Sequence, residues 1–209
     1  MEPWMKGKDI QRLAIMGGTF DPIHYGHLVA AEGARYEFNL DRVIFVPAAR
    51  PPHKTGKEMT HPAHRLAMVE RAVYSNSHFE ASALEIEREG LSYTINTVNA
   101  VREIHPAAEI YFITGADAVL EILTWKNVEE LLNVCKFIAA TRPGYNLENL
   151  EHTLVSLPRK YLNNIYTMEV PALAISSTDI RARVAEGRPI KYLLPELVER
   201  YIFEENLYK

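Results

Sequence analysis

The chain has 209 residues, of which 47% are hydrophobic and 24% charged, a balance typical of one globular domain and not of disordered or low-complexity chains. Its formal net charge of −4 excludes a general nucleic-acid binder, which needs a clustered basic excess. The single cysteine, Cys135, excludes an intrachain disulfide. We find no apolar run of about 18 residues and no signal region, so we expect a cytoplasmic protein that does not enter a membrane.

Four continuous apolar runs predict buried strands of the parallel kind, which are covered on both faces. They cover residues 13–16, 43–46, 110–113 and 137–140. Residues 79–88 are predicted as an extra strand and 165–170 as the last one, whereas 144–156 carry no clear pattern. Cys135 is expected within a strand over 134–139, as an inert core thiol.

Helical patterns separate these runs. The first is marked by Leu28 and Ala31; Thr60 is expected to cap the second and Thr94 to open the third. Later, Ser177 or Thr178 is expected to cap a helix that ends at Gly187, and Pro195 to start a terminal helix. Strands alternating with helices predict a Rossmann-like, doubly wound parallel α/β sheet. We expect a single domain over residues 1–209, with a small helical C-terminal portion.

The sequence GGTFDPIHYGH at residues 17–27 joins the first predicted strand to the first helix. Gly17 and Gly18 predict a turn whose amides, with the helix dipole, cradle an anion. His24 and His27 lie three residues apart at the helix start and therefore on the same side as the cradle. Two imidazoles there suit a group that gains negative charge during a reaction. A metal pair is the alternative, but no Glu or Cys stands at ligand spacing, so we predict no protein metal site.

This stretch resembles the HxGH signature of the nucleotidyltransferase superfamily, and its longer form resembles the nicotinate-nucleotide adenylyltransferase family. His24 favours that branch, because a Thr usually occupies its place in pantetheine-phosphate adenylyltransferases. Asp21 stands where Asn also occurs in the family. The resemblance implies that ATP phosphates are held by the turn and both histidines, that is, by Gly17, Gly18, Thr19, Phe20, His24 and His27.

The sequence ISSTDIR at residues 175–181 precedes another predicted helix. Hydroxyls and amides at a helix start bind phosphate, and Arg181 could reach back one turn; ordinary capping and an exposed arginine are the alternative. The stretch resembles the second motif of the same family. The resemblance implies that Ser176, Ser177, Thr178 and Arg181 contact the ATP phosphates from the other side. We therefore expect the two motifs to converge.

Further residues gain a role only from the resemblance; taken alone they predict a surface loop, helix starts and a core aromatic. It implies that the loop PPHK brings Lys54 to the phosphates, that Tyr93 and Thr94 meet a nicotinate carboxylate through backbone amides, and that Trp125 stacks on the pyridine ring. It also implies contacts of Gly115 and Asp117 with adenosine.

The expected reaction is adenylyl transfer from ATP to nicotinate mononucleotide, with His24, His27 and Arg181 as catalytic residues and a Mg²⁺ ion that arrives with ATP. One alternative is a related transferase with another acceptor, such as pantetheine phosphate, glycerol phosphate or nicotinamide mononucleotide. Others are a nucleotide sensor without turnover and an NAD-binding oxidoreductase domain, whose glycine fingerprint is missing. The sequence leaves homo-oligomer formation open.

Overall fold

The structure, a computed structural model, describes residues 10–52, 59–141, 158–171 and 173–209. Its strands are β1 (Arg12–Gly18), β2 (Arg42–Pro47), β3 (Phe79–Ala81), β4 (Glu109–Gly115), β5 (Lys136–Thr141) and β6 (Ile165–Glu169). Its helices are α1 (Tyr25–Glu37), α2 (Pro62–Val73), α3 (Thr94–Ile104), α4 (Ala116–Leu120), α5 (Val128–Val134), α6 (Arg159–Leu162), α7 (Ser177–Ala185) and α8 (Glu196–Glu204), with a short 3-10 helix at Ile122–Thr124. In the described part of the chain, no helix has the length and apolar character to cross a membrane.

The six strands form one parallel sheet in the order β3-β2-β1-β4-β5-β6, which confirms the predicted Rossmann-like fold. The order reverses between β1 and β4. Open sheets of this kind bind ligands at such a reversal, in the crevice beyond the carboxyl ends of the strands. The fold therefore directs attention to the residues that follow β1 and β4.

Alternate residues of β1 belong to two separate cores, one on each face of the sheet. Ala14 and Met16 join the core that includes residues of α1, α2 and α8. Leu13 and Ile15 join the core that includes residues of α3 and α5. All four are buried, which explains why this strand reads as a continuous apolar run.

Several predicted boundaries were wrong because side chains reshape the chain locally. The strand predicted over 79–88 ends at Ala81, since Ser82 Oγ accepts the Leu84 N–H (3.2 Å) and starts a turn. Cys135 is buried but lies at the C-terminal cap of α5, before β5 begins. Residues 144–156, for which the sequence predicts no element, lie outside the residues that the structure describes.

Two helix caps also differ from the prediction. His61, not Thr60, precedes α2, and its Nδ1 accepts the Ala63 N–H (3.4 Å). Ser176, not Ser177 or Thr178, caps α7 by accepting the Asp179 N–H (3.1 Å). Gly187 follows the end of α7 with a φ of 67°, a left-handed conformation that suits glycine.

Candidate active site

A cleft of about 300 Å³ opens at the reversal of the sheet and brings the two sequence motifs together. We call it the histidine cleft. It is lined by His24 and His27 from the first motif, by Ser176 and Ser177 from the second, and by Gly115 at the end of β4. Ser177 Oγ donates a hydrogen bond to the Pro22 carbonyl (2.8 Å), 155 positions away in the chain, so the two motifs are in direct contact.

The two imidazoles stack at the start of α1. Their ring centroids lie 3.8 Å apart with an interplanar angle of 29°. The His24 N–H donates to His27 Nδ1 (3.2 Å), so a neutral His27 carries its proton on Nε2. Burial and the neighbouring charge of His24 lower the pKa of His27 to about 3, which keeps this ring neutral at pH 7. The site thus presents a neutral N–H donor, and a bound anion would also favour protonation of the pair.

The lowered pKa of His27 makes stability depend on pH. Between pH of about 3 and 6.5 the unfolded chain binds a proton at His27 that the folded chain does not, so stability rises with pH across this window. We expect wild-type protein to lose about 1–2 kcal/mol more stability than His27→Gln between pH 7 and pH 5, as measured by urea unfolding at both values. Equal losses in the two proteins would contradict the assigned pKa.

The first motif differs from the predicted glycine turn. Gly17 and Gly18 are the last residues of β1, and the chain turns after them at Phe20, whose φ is 50°. A Cβ on Gly17 would lie 2.8 Å from the Phe112 ring, so this glycine is needed for packing. The buried Phe20 ring meets the His27 ring edge-on at a centroid distance of 5.1 Å. The strained Phe20 backbone is therefore held by packing that also contacts His27.

Gly26 explains the spacing of the two histidines. A Cβ at this position would lie 3.0 Å from the His24 ring and 3.9 Å from the Ile175 carbonyl. Glycine therefore leaves room for the His24 ring beside the backbone of α1, whereas the contact with the Ile175 carbonyl would be an ordinary van der Waals contact.

Arg181 and Thr178 line a neighbouring pocket and not the histidine cleft. Arg181 Nη1 donates to the Asp21 carbonyl (2.6 Å). A guanidinium has five N–H groups, so this bond does not exhaust its capacity to contact an anion.

A further pocket, of about 560 Å³, is lined by three of the predicted residues, Tyr93, Thr94 and Trp125. We call it the aromatic pocket; its lining includes Pro52, Tyr93, Thr94, Trp125 and Lys126. Tyr93 precedes α3 without giving a side-chain cap, which leaves the first turn of this helix suited to an anion. Lys126 Nζ lies 4.2 Å from the centroid of the Tyr93 ring and adds positive charge.

Trp125 has a structural role beside any binding role. Its ring meets Phe112 edge-on at 6.0 Å and Phe137 at 5.9 Å, and it packs on the second core. The packing of Trp125 agrees with the core interpretation, and its stacking on a pyridine ring stays a prediction for a residue that lines this pocket.

The histidine cleft and the aromatic pocket are connected through β4 and the helix that follows it. Thr114 and Gly115 line the histidine cleft, and Ala118, in the following α4, lines the aromatic pocket. Asp117 is exposed in the first turn of α4. On the other side, Ser92 and Arg50 exchange hydrogen bonds (3.1 and 2.9 Å) that hold the loop after β2 at the start of α3. Lys54 lies outside the described residues.

Sequence analysis missed Arg65, which is fully buried in α2. Its guanidinium donates to the carbonyls of Thr60 (2.8 Å), Thr19 (2.7 Å) and Ala49 (3.5 Å). Arg65 thereby connects Thr19, near the start of the first motif, to Ala49 in the loop after β2. The signal was present, because Arg65 precedes Val69 and Ala72 on the apolar face of the helix.

Among the residues that the structure describes, no group of three or more His, Cys, Asp or Glu side chains could hold a metal ion. Thr19 and Phe20 are also not part of the histidine cleft lining, and their described roles are structural. The polar side chains that line the cleft carry imidazoles and hydroxyls. Such a set fits an anionic ligand better than a bare cation.

Comparison with known proteins identifies relatives along nearly the whole chain. The model of the cytidylyltransferase-like family matches residues 15–183. A probable nicotinate-nucleotide adenylyltransferase of Thermoanaerobacter sp. (strain X514) is 59% identical over 199 residues, 95% of this chain and 94% of the relative. One of the same name from Moorella thermoacetica is also 59% identical over 199 residues, 95% of this chain and 92% of the relative.

Solved structures share the fold. The Plasmodium falciparum nicotinic acid mononucleotide adenylyltransferase complexed with NaAD superposes with a TM-score of 0.70 at 22% identity, over 95% of this chain and 97% of that one. The same protein complexed with APC gives a TM-score of 0.72 over the same shares, again at 22% identity.

Proposed function

This chain belongs to the cytidylyltransferase-like family and, within it, to the nicotinate-nucleotide adenylyltransferases, and we propose that it transfers the adenylyl group of ATP to nicotinate mononucleotide. The products are nicotinate adenine dinucleotide and pyrophosphate. The observation that carries this proposal is the shared cleft of the imidazole pair and the Ser176–Ser177 turn, placed beside a pocket with an aromatic wall.

In the proposed reaction, a phosphate oxygen of nicotinate mononucleotide bonds to the α-phosphorus of ATP, and the bond from that phosphorus to the bridging oxygen of pyrophosphate breaks. The attacking phosphate is ionised at pH 7, so the reaction needs no general base. Catalysis then consists of aligning two anions and stabilising the charge that develops. His27 Nε2–H and the backbone N–H of Ser177 at the start of α7 supply donors, with His24 and Arg181 completing the set.

The substrates divide between the two regions. The triphosphate of ATP occupies the histidine cleft between the motifs that contain Gly17, Gly18, Thr19, Phe20, Ser176, Ser177 and Thr178, and its adenosine lies against Gly115 and Asp117. The nicotinate ring lies on Trp125, with its carboxylate at the amides of Tyr93 and Thr94. Lys54, two positions after Pro52 in the sequence, is proposed to contact phosphate.

Mg²⁺ enters this proposal together with ATP. The cleft lining carries no carboxylate among its described residues, and its donors suit phosphate oxygens, so the ion would be held by the triphosphate and water. When bound, it neutralises charge on the phosphates.

We also propose that residues 1–209 form one nucleotidyltransferase domain and that the enzyme works in the cytoplasm. An unpaired thiol such as Cys135 is the normal state of cysteine in that compartment.

A pyrophosphate-release assay with a panel of acceptors tests the proposal. Nicotinate mononucleotide should give the highest kcat/KM, ahead of nicotinamide mononucleotide, since an anion is favoured at the uncapped start of α3 beside Lys126. Turnover with pantetheine phosphate alone would identify a different transferase. Binding of ATP without turnover on any acceptor would identify a sensor.

Trp125→Ala is expected to weaken nicotinate mononucleotide binding by about tenfold or more, because it removes the aromatic wall of that pocket. ATP binding should change by less than about twofold. Titration calorimetry with each ligand measures both effects, and Trp125→Phe is the matched control that keeps an aromatic ring. Equal weakening of both ligands would mean that the substitution disturbs the core around Phe112 instead.

A further inference from the structure

The last residues of the chain return to the first motif. After α8 the backbone takes left-handed conformations at Asn206 (φ 53°) and Tyr208 (φ 65°), and Leu207 and Tyr208 pack against the first core. The Tyr208 hydroxyl donates a hydrogen bond to Asp21 Oδ1 (2.7 Å). A strained backbone with packed side chains indicates that this end of the chain has a defined place, and that place is against Asp21.

Asp21 is held from three directions. It is buried, with 5% of its surface exposed. Besides Tyr208, its Oδ2 accepts the Thr60 N–H (3.2 Å), and its backbone carbonyl accepts a bond from Arg181 (2.6 Å). Burial and the neighbouring Asp21 carboxylate raise the pKa of Tyr208 above its ordinary value, so its hydroxyl stays protonated and donates.

Asp21 stands three residues before His24, in the segment that sets the direction of the imidazole pair. The backbone carbonyls on each side of it are also occupied: Thr19 accepts from Arg65, and Pro22 accepts from Ser177. The Asp21 side chain of this segment accepts hydrogen bonds from the Tyr208 hydroxyl and from the Thr60 N–H. Tyr208 itself lines the neighbouring pocket with Arg181 and not the histidine cleft, and its hydrogen bond to Asp21 links it to this segment.

We propose that Tyr208 is a positioning residue for adenylyl transfer: by holding the Asp21 carboxylate, it keeps the segment before α1 in the conformation that places His24 and His27 in the cleft. The inference rests on the proposed function. It gives the C-terminal residues a part in ATP binding although they do not touch the cleft.

The test compares Tyr208→Phe with Tyr74→Phe, an equivalent change at a tyrosine that is 83% exposed at the end of α2. Phenylalanine keeps the packed ring and removes only the hydroxyl. Titration calorimetry with a non-hydrolysable ATP analogue should show about tenfold weaker binding for Tyr208→Phe and no change for Tyr74→Phe. The fitted stoichiometry counts folded molecules, so loss of folded protein and loss of affinity are measured separately.

Binding of nicotinate mononucleotide distinguishes a positioning role of Tyr208 from a merely structural one, which would weaken the binding of both ligands. It should stay within about twofold of wild type, because the aromatic pocket does not depend on the Asp21 segment. An unchanged affinity for the ATP analogue, or equal weakening of both ligands, would overturn the inference.

The route through Asp21 is tested by combining Tyr208→Phe with Asp21→Asn. We expect the effect of Tyr208→Phe on the ATP analogue to be several-fold smaller in the Asp21→Asn background, because the two groups share one hydrogen bond. Independent effects of the two substitutions would overturn it. If wild-type protein binds the analogue but releases no pyrophosphate, the proposed function fails, and the affinity comparison still decides whether Tyr208 positions the motif.

Discussion

His27→Ala is expected to lower kcat for adenylyl transfer by about 10²–10³-fold, the loss typical of removing one donor that faces developing negative charge. His27 lies in the histidine cleft, its Nδ1 accepts the His24 N–H, and its proton is therefore on Nε2. Alanine removes this donor and the stacking partner of His24 together. The measurement is pyrophosphate release under saturating substrates.

Folding should survive this change, because the His27 side chain is only partly buried and belongs to neither apolar core. Urea unfolding and circular dichroism check this point. His78→Ala is the matched control, since His78 is exposed and precedes β3, at the amino-terminal edge of the sheet. Full activity in His27→Ala, or an unfolded His27→Ala protein, would contradict the catalytic role.

Arg65→Met is expected to have the largest effect on stability, a loss of about 2–4 kcal/mol in the free energy of unfolding. Methionine fills a similar volume but leaves the carbonyls of Thr60, Thr19 and Ala49 without the donors they have in the native protein. It also removes a positive charge near the buried Asp21. Release from the desolvation of a buried cation offsets only part of these losses.

Urea unfolding measures this loss, with Arg102→Met as the control at an exposed position of α3. The control should change stability by less than about 0.5 kcal/mol. If Arg65→Met cost as little as the control, the three hydrogen bonds would contribute nothing net, and the link that they form between the first motif and the loop after β2 would lose its support.

The sheet could be predicted from the sequence because its strands are buried on both faces. Runs such as residues 13–16 and 110–113 face no solvent and therefore contain no alternating polar residues, so their continuous apolar character identifies them as strands. Local caps were harder to predict. His61 and Ser176 cap their helices although a hydroxyl residue stands next to each of them in the sequence. Which residue caps a helix depends on the direction of the backbone, and sequence spacing does not show that direction.

The candidate site, like the fold, could be predicted only in part from the sequence. Convergence of His24, His27 and Ser177 was expected from the family resemblance of the two motifs, and the three residues line one cleft. The packing of Gly17 and the hydrogen bond made by Arg181 did not follow from the sequence. The first is explained by the Phe112 ring and the second by the Asp21 carbonyl, and both partners are distant in the chain.

A crystal structure with bound nicotinate adenine dinucleotide tests the central claim most directly. The account predicts the two phosphates of the dinucleotide between the His24–His27 pair and the Ser176–Ser177 turn, with the pyridine ring against Trp125. A dinucleotide whose phosphates lie away from the imidazole pair, or whose pyridine ring lies outside the aromatic pocket, would contradict it.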